Sequence, residues 1–514
     1  MITDKKQFLI YTVVILTIAV VLNIVSRQLF VRFDLTKDKV YSLSESSKQV
    51  IGKLEDRMVA KVYFSKDIPG QLANSRRFLQ DLLEEYEAWG DGKFRFEFIN
   101  PDESEDAKSA AQRDGIPPVQ MQVIENDKLE IKNVYIGMVL LYSDKKETIP
   151  MLRTDGGLEY ELTSKIKKLT AVGFKNIGIV NLPGNDSETQ KLEEALRESY
   201  RIRQYDLEQE IPFDVNVMLV NGAGDSLSLD QLYHLDQFLQ RGGRLFLGQT
   251  RQTANIQQGS ASDIQSNIFD FLRHYGVEIG KEIITDASCG QIQVQQQQGF
   301  FRMVNAVNYP VFPVIHHFNE ENLMVRNFEE ARIFFPNEIT AADSGIDFTW
   351  LLQTSNRTGA VSGPYYNIYP LQNPLLNKFP NKEKNLAALL RGVRNSYFAQ
   401  NSDYEKKENF ISGNTVELIV VADLQFFNDQ RAASVPENVS LILNGVDYLS
   451  GDEELIAIRS RDVTSRPLKA LSDGERNFWK WINIALPALL VLVFALLKWR
   501  RNRENRRILE EIYG

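Results

Sequence analysis

The stretch NIGIVNLPGNDSETQKLEEALRESY, residues 176–200, decides the predicted fold of this 514-residue chain. Its first six residues predict a buried strand, and Pro183-Gly184 predicts the turn that ends it. The residues that follow predict a helix over 187–200. The pattern then repeats, with strands predicted over 201–207, 215–220 and 244–247 and a helix over 229–240. Strands that alternate with helices of this length indicate a doubly wound parallel sheet.

This sheet is predicted to form the centre of a second α/β domain, residues 171–460. The apolar run TVELIVVA, residues 415–422, can supply a further strand of the sheet, and a helix over 438–449 closes the domain. Residues 251–410 are predicted to be an insertion into this domain.

The predicted insertion differs in composition from the sheet. Residues 251–300 are polar and contain a glutamine-rich run at 291–298, which favours a loop or β-ribbon outside the sheet. Residues 380–410 are charged and polar, and one helix is predicted within them.

A smaller α/β domain is predicted to precede this one, over residues 44–170. Ser44 stands before an apolar-periodic stretch and is expected to be the N-cap of the first helix. The run FRFEFI, residues 94–99, alternates apolar and polar residues as a half-buried strand does. The other predicted elements are strands over 59–65, 119–125 and 134–142 and helices over 74–89, 105–113 and 158–169.

Two uncharged apolar runs stand near the two ends of the chain. Residues 8–26 read FLIYTVVILTIAVVLNIVS, and residues 481–497 read WINIALPALLVLVFALL. A helix needs about 17–25 apolar residues to cross a bilayer, so each run predicts a transmembrane helix, the second within residues 479–498. A cleaved signal peptide is the alternative for the first run, although no small-residue cleavage site follows it. A buried core helix is disfavoured for both, because each run is apolar all round.

The orientation of these spans depends on the basic residues that follow the second. They are Lys498, Arg500, Arg501, Arg503, Arg506 and Arg507. Lys and Arg stay preferentially in the cytoplasm, so the tail 499–514 is predicted to be cytoplasmic. Two spans place residues 1–7 on the same side. The large domains, with a polar tether over 461–478, are then predicted to be periplasmic at a bacterial inner membrane.

Composition excludes several classes of protein. The chain is 43% hydrophobic and 25% charged, as expected of a foldable globular protein. Its net charge of −9 gives no basic footprint for nucleic acid. Cys289 is the single cysteine, which excludes an intramolecular disulfide. It is not predicted to be a catalytic thiol, because no partner close in sequence would activate it.

The motifs of common enzymes are absent from the sequence. There is no G-x-x-x-x-G-K-[ST] phosphate loop, so ATP hydrolysis is not predicted. There is no H-E-x-x-H and no G-x-S-x-G. The neighbours His316 and His317 would point to opposite faces of a strand, which disfavours a shared metal site. We therefore predict no enzyme, no cofactor and no metal site.

Three residues are candidates for contacts with a ligand or partner. Asp423 follows the predicted strand 415–422, at the carboxyl edge where α/β sheets bind ligands. A loop carboxylate that caps the next turn is the favoured alternative for it. Arg459 and Arg461 stand before the second span and could bind a partner or lipid headgroups, and solvated membrane-proximal charges explain them equally well.

Several segments in order along the chain resemble the GldG family, the auxiliary component of the gliding-motility ABC transporter. They are VYSLSESSKQVIGKLEDRMVAKVYFSKDIP (40–69), YELTSKIKKLT (160–170), NYPVFPVIHHFNEENLMV (308–325), ELIVVADLQFF (417–427) and LILNGVDYLSGDEELIAIRSR (441–461). The resemblance implies an α/β fold whose second domain is similar to glutamine-amidotransferase-like sheets. Such sheets carry a catalytic Cys at a strand–helix elbow, and residues 220–222 and the turn after residue 247 have none.

The resemblance also implies partners and a function. The partners would be a multi-span ABC permease, a cytoplasmic ATPase and membrane lipid, with no nucleic acid. The expected function is a non-catalytic, membrane-anchored auxiliary subunit, often termed substrate-binding, of an ABC transporter linked to gliding motility. The alternative is a cell-envelope scaffold or sensor that binds a polymer or protein without transport. An envelope hydrolase would need a nucleophile that the sequence does not offer.

Overall fold

A computed structural model describes residues 14–15, 17–18, 42–66, 70–125, 128–152, 157–171, 173–298, 301–371, 373, 376–400, 405–459 and 473–513. The chain divides into two compact units, Met1–Thr464 and Ser465–Gly514. The first unit holds the α/β structure.

The N-terminal part of the first unit is built around a four-stranded sheet. Its strands are β1 (Met58–Phe64), β2 (Phe94–Ile99), β5 (Ile136–Tyr142) and β6 (Lys145–Ile149), in the order β2-β1-β5-β6. The hairpin of β3 (Val119–Glu125) and β4 (Lys128–Val134) pairs separately. The helices are α1 (Glu45–Gly52), α2 (Gly70–Trp89), α3 (Glu105–Arg113) and α4 (Leu158–Thr170). Apolar residues of α1, α2 and α4 pack with those of the sheet in one core.

Helix α1 begins where the sequence predicts. Ser44 is extended, and its side chain accepts a hydrogen bond from the Ser47 N–H, which confirms it as the N-cap. The buried Ser47 hydroxyl also donates to the Glu159 carboxylate at 2.7 Å. This bond ties the start of α1 to α4, which lies more than a hundred residues later in the chain.

The rest of the first unit is organised by an eight-stranded sheet. Its strands are β7 (Asn176–Asn181), β8 (Arg201–Tyr205), β9 (Val215–Asn221), β10 (Arg244–Gly248), β17 (His317–Phe318), β20 (Asp347–Gln353), β23 (Asn385–Asn395) and β24 (Gly413–Val421). Its helices are α5 (Gln190–Leu196), α6 (Leu229–Gln240), α7 (Ile268–His274), α8 (Pro436–Ser450) and α9 (Glu453–Arg459). The smaller strands are β11 (Gln252–Asn255), β12 (Ser260–Asp263), β13 (Val277–Ile279), β14 (Ile283–Asp286), β15 (Cys289–Gln298), β16 (Phe301–Ile315), β18 (Ala331–Arg332), β19 (Ile339–Ala341), β21 (Thr358–Val361) and β22 (Tyr366–Asn367).

The large sheet is mixed, which corrects the prediction of a purely parallel sheet. The run β8-β7-β9-β10-β24 is parallel throughout. Strands β23, β20 and β17 then extend the sheet by antiparallel pairing. These added strands come from the predicted insertion, so part of residues 251–410 belongs to the sheet itself.

The helix predicted within residues 380–410 is wrong for the part of this range that the structure describes, 380–400 and 405–410. Its Ala- and Leu-rich part, NLAALLRGVRN, is strand β23. This strand pairs with β20 on one side and with β24 on the other, and residues 386–390 are buried. A strand buried on both faces reads as a continuous apolar run and cannot be told from a helix by periodicity, so tertiary pairing decides here.

Of the loop or β-ribbon expected within residues 251–300, the structure has the β-ribbon. Strands β15 and β16 form a long antiparallel hairpin, and the glutamine-rich run lies in β15. The helix predicted over 187–200 is shorter, because α5 covers only Gln190–Leu196. Its first turn is held by the Asp429 carboxylate, which accepts from the N–H groups of Lys191 and Leu192.

Helices cover both faces of the large sheet, as expected of a doubly wound fold. Leu245 and Leu247 of β10 point into the core that α6 and α7 share. Phe246, between them, points into the opposite core with α5, α8 and α9. The sheet is therefore buried on both sides, and its functional surface lies at the ends of the strands.

The second unit contains one long helix, α10 (Asp473–Tyr513). The second predicted span lies within it, and residues 473–478 of the predicted tether are helical. Of the first predicted span, residues 8–26, the structure describes only 14–15 and 17–18. Arg461 lies outside the described residues. Across the residues that the structure describes, no helix is both long and apolar enough to cross a membrane.

Candidate functional site

The parallel strands run in the order 2-1-3-4-5, which places the usual ligand crevice between β7 and β9. In this chain the loops after these two strands close that crevice. The Gly224 N–H donates to the Pro183 carbonyl at 2.8 Å, and the Asn185 side chain donates to the Gly222 carbonyl at 2.8 Å. A Cβ atom on Gly184 would lie 2.8 Å from the backbone of Gly224. The chain's own loops therefore fill the crevice between β7 and β9.

The turn after β10 is equally occupied. Gln249 follows this strand and is completely buried. Its side-chain oxygen accepts from the Ala223 N–H, and its amide donates to the carbonyls of Ala223 and Thr250. Gln249 thus joins the ends of β9 and β10 through hydrogen bonds, and both its side-chain oxygen and its amide group are engaged in them.

An open cleft of about 330 Å³ lies beside these filled positions, near the carboxyl ends of β10 and β24. It is lined by the segment after β10, by two aromatic residues and by the loop after β24. The lining residues are Thr250, Gln252, Thr253, Ala254, Asn255, Ile256, Gln257, Phe334, Phe335, Asp423, Leu424, Gln425 and Arg431. This wall of amides, hydroxyls, aromatic rings and one guanidinium can bind a polar ligand, and we define these residues as the edge cleft.

Asp423, a candidate from the sequence, lies at the base of the edge cleft and is 2% exposed. One carboxylate oxygen accepts from the Gln425 N–H at 3.0 Å, within its own turn. The other accepts from the Phe334 N–H at 2.9 Å, which ties the loop after β24 to the insertion. Burial raises the pKa of this carboxyl to about 7, and the two N–H donors and Arg431 oppose the rise.

Asp423 should make stability depend on pH. An unfolded aspartate has a pKa of about 3.9. Between about pH 4 and 7 the folded chain holds a proton that the unfolded chain has lost, so stability falls as the pH rises through this window. Asp423→Asn should remove this slope, so the stability of the variant relative to the parent chain should rise between about pH 4 and 7. Urea midpoints measured across the pH range test this, and parallel profiles for parent and variant would contradict it.

The aromatic side of the edge cleft was not predicted. Phe334 and Phe335 pack against Phe312, with ring centroids 4.7 and 5.0 Å apart. Phe335 has a φ of 52°, which bulky residues rarely adopt. No local signal in the sequence links these residues to Asp423, which lies about ninety residues later.

Arg431 was also missed, although it follows Asp423 by only eight residues in the loop DLQFFNDQR. It is exposed at the edge cleft, and its guanidinium forms no hydrogen bond or ion pair with any residue that the structure describes. A lone cation after a strand-ending carboxylate is the signal that could have identified it.

Arg459 lies in the interior rather than on the surface. Its guanidinium is 2.8 Å from the Asp447 carboxylate and donates to the side chains of Asn444 and Tyr160. Tyr160 belongs to α4, so Arg459 joins the N-terminal part of the unit to α8 and α9. The structure does not bring Arg459 near Asp423.

The remaining chemically active side chains are separate from the edge cleft. Cys289 is half-buried at the start of β15, and burial raises the pKa of its thiol. The His316 ring bonds to the Glu329 carbonyl, while His317 lies on the edge strand β17. Within the described part of the chain, no group of three or more His, Cys, Asp or Glu residues is placed to hold a metal ion.

Comparison with known proteins gives the family. A family model described as an ABC-type uncharacterized transport system matches residues 147–448, more than half of the chain. The chain belongs to this family. It is therefore an auxiliary component of an ABC-type transport system. A second model, described as a domain of unknown function, matches residues 37–141, the N-terminal part of the first unit.

One curated relative of this family member matches almost end to end. An uncharacterized protein of Borreliella burgdorferi is 23% identical over 494 residues, which cover 92% of this chain and 94% of the relative. Solved structures match more loosely. The match to the N-terminal domain of mmIFT52 covers 53% of this chain and 97% of that domain, with 13% identity and a TM-score of 0.32. The match to a ThuA-like protein from Bacteroides uniformis covers 54% of this chain and 93% of that protein's chain, with 10% identity and a TM-score of 0.28.

Proposed function

We propose that this chain is a non-catalytic, membrane-anchored subunit that recognises a ligand or partner of its ABC transport system in the edge cleft. One observation carries the proposal. Where α/β sheets commonly hold a ligand, the strand ends are filled by the chain's own loops, yet an open polar cleft is kept directly beside them.

The composition of the edge cleft favours binding over catalysis. Among its lining residues, all of them described, there is no Ser, Cys, His or Lys, and the hydroxyls are those of Thr253 and of Thr250, which already donates to the Gln252 carbonyl. Its one carboxylate already accepts two backbone hydrogen bonds. What remains are hydrogen-bonding groups, two aromatic rings and a cation, which together orient a ligand without reacting with it.

The sequence supports the membrane part of the proposal. The apolar runs 8–26 and 481–497 would anchor the chain, and the basic tail would hold both termini in the cytoplasm of the bacterial cell. The α/β unit would then face the periplasm. The expected partners are a multi-span permease, a cytoplasmic ATPase and membrane lipid, and the resemblance to the GldG family supports a link to gliding motility.

The second candidate function is an envelope scaffold or sensor without a transport partner. The ion pairs that tie α4 to α9 and to the residue before α9 favour a rigid body suited to such a role. They join Lys167 to Asp452 at 2.7 Å and to Glu454 at 3.2 Å.

Purification from native membranes separates these two functions. We expect the tagged full-length chain, solubilised in mild detergent, to retain an ATPase and a multi-span permease. Recovery of envelope proteins alone would favour the scaffold. The control is the same chain with residues 481–497 replaced by an unrelated poly-Leu span, which should insert but lose much of the complex. ATP turnover that persists after every copurifying ATPase is removed would contradict a non-catalytic role.

A further inference from the structure

One wall of the edge cleft is the edge of a β-strand. Residues 252–257, a run without a gap, all line the cleft. Side chains of a strand alternate between its two faces, so a face would present only every second residue. A continuous run indicates instead that the backbone edge lies along the cleft. This segment includes β11, which is the end strand of the three-stranded sheet β11-β12-β22.

The register of β11 shows which backbone groups point to that free edge. The Ile264 N–H donates to the Arg251 carbonyl, so this opposed pair is hydrogen-bonded. Opposed residues in an antiparallel ladder alternate between bonded and non-bonded pairs. Ala254, which opposes Ala261, is therefore in a non-bonded pair, and its N–H and C=O point away from β12. Gln252 points the same way, and its carbonyl is already capped by the Thr250 hydroxyl at 2.9 Å.

The other walls suit a short extended chain with a negative charge. Phe334 and Phe335 supply an apolar surface for one of its side chains. Arg431 supplies a guanidinium with no ion-pair partner among the described residues, and this group binds carboxylates in a bidentate manner. An unpaired strand edge and a guanidinium without a hydrogen-bonded partner among the described residues thus face the same space.

We propose that an extended peptide segment bearing a carboxylate, from a partner protein, adds to the free edge of β11 as a strand and pairs its carboxylate with Arg431. Main-chain hydrogen bonds to Ala254 would provide affinity, and the aromatic wall and Arg431 would provide specificity. This inference rests on the proposed function, because it identifies the class of ligand that the edge cleft recognises.

The probe is a library of peptides of about six residues, the usual length of a strand, with randomised sequence and free carboxyl termini. The full-length chain in detergent is immobilised, and the bound peptides are sequenced. We expect the selected peptides to share an acidic side chain at one position, or a required terminal carboxylate that amidation abolishes. Failure to select any peptide would overturn the proposal.

Two protein variants then locate the site with the strongest selected peptide. Arg431→Gln should weaken its binding about tenfold to a hundredfold, as expected for loss of a charge-assisted hydrogen bond, and Arg431→Lys should weaken it less. Ala254→Pro removes the outward N–H and should also weaken binding at least about tenfold. Its matched control, Ala254→Val, keeps that N–H and should bind as the parent does.

Methylation of the peptide's own nitrogens tests the strand geometry without altering the protein. N-methyl groups at every second residue should abolish binding in one register and leave it nearly unchanged in the other, because only alternate N–H groups face β11. Equal effects in both registers, or none in either, would overturn the proposal. So would a dimer of the chain that Ala254→Pro dissociates, since a second copy would then occupy the edge.

These results are separable from the proposed function. A chain that copurifies with its permease and ATPase but selects no peptide keeps the proposed function and loses this inference. A chain that binds peptides as predicted but purifies without transporter subunits keeps this inference and loses the transport part of the proposed function.

Discussion

A chain in which Arg459 is replaced by methionine is expected to have a free energy of unfolding about 3–5 kcal/mol lower than that of the parent chain. The reason is the charge that remains. Asp447 is 1% exposed and lies 2.8 Å from the Arg459 guanidinium. Burial raises the pKa of Asp447 and Arg459 opposes that rise, so removal of the arginine leaves a buried carboxyl group without its counter-charge.

Urea unfolding, followed by tryptophan fluorescence and circular dichroism, measures this loss. Arg459→Lys keeps the charge but cannot reach Asn444, Tyr160 and Asp447 together, so it should recover only part of the stability. The double variant Arg459→Met, Asp447→Leu removes both charges and should be more stable than Arg459→Met alone. In that variant the Tyr200 hydroxyl keeps Asp452 as an acceptor.

This experiment also separates the structural role of Arg459 from the partner or lipid contact that was considered from the sequence. A residue that contacts a partner or lipid would change complex formation and leave the unfolding midpoint unchanged. An unchanged midpoint in Arg459→Met would therefore contradict the structural role that its burial indicates.

Phe246→Ala should have an effect of similar size, about 3–5 kcal/mol. Phe246 lies at the centre of β10 and is 1% exposed. Its ring packs edge-on against Phe427 at 5.1 Å and tilted against Phe426 at 6.1 Å. A Cβ atom on Gly445 of α8 would lie 2.4 Å from this ring, so glycine is what allows the helix to approach so closely.

The cavity left by Phe246→Ala would adjoin Phe426 and Phe427, which directly follow the lining residues Leu424 and Gln425 in the loop after β24. The same urea titration measures the cost. Tyr365→Ala removes an aromatic ring that is 91% exposed and should change stability by no more than about 0.5 kcal/mol. Equal losses in the two variants would contradict the assignment of Phe246 as a core anchor of this loop.

The sequence by itself determined the elements whose signals are local. Ser44 caps α1 because its hydroxyl reaches an N–H three residues ahead, and capping is visible in the residue order. The apolar hexamer 176–181 is β7, and α6 covers Leu229–Gln240 as predicted. For the polar segment 289–298, composition left a loop or a β-ribbon open, and the structure has the ribbon. Asp423 could be placed at the strand end because strand and loop are neighbours in the chain.

Only the tertiary structure decided what depends on pairing between distant residues. Residues 385–395 form a strand because β20 and β24 offer ladders on both sides, which overrides the helical preference of their Ala and Leu residues. Arg459 is buried because Asp447, Asn444 and Tyr160 meet it from other helices. Phe334 and Asp423, far apart in sequence, both line the edge cleft and share one hydrogen bond there. Such contacts carry no periodicity or spacing, so only the folded chain reveals them.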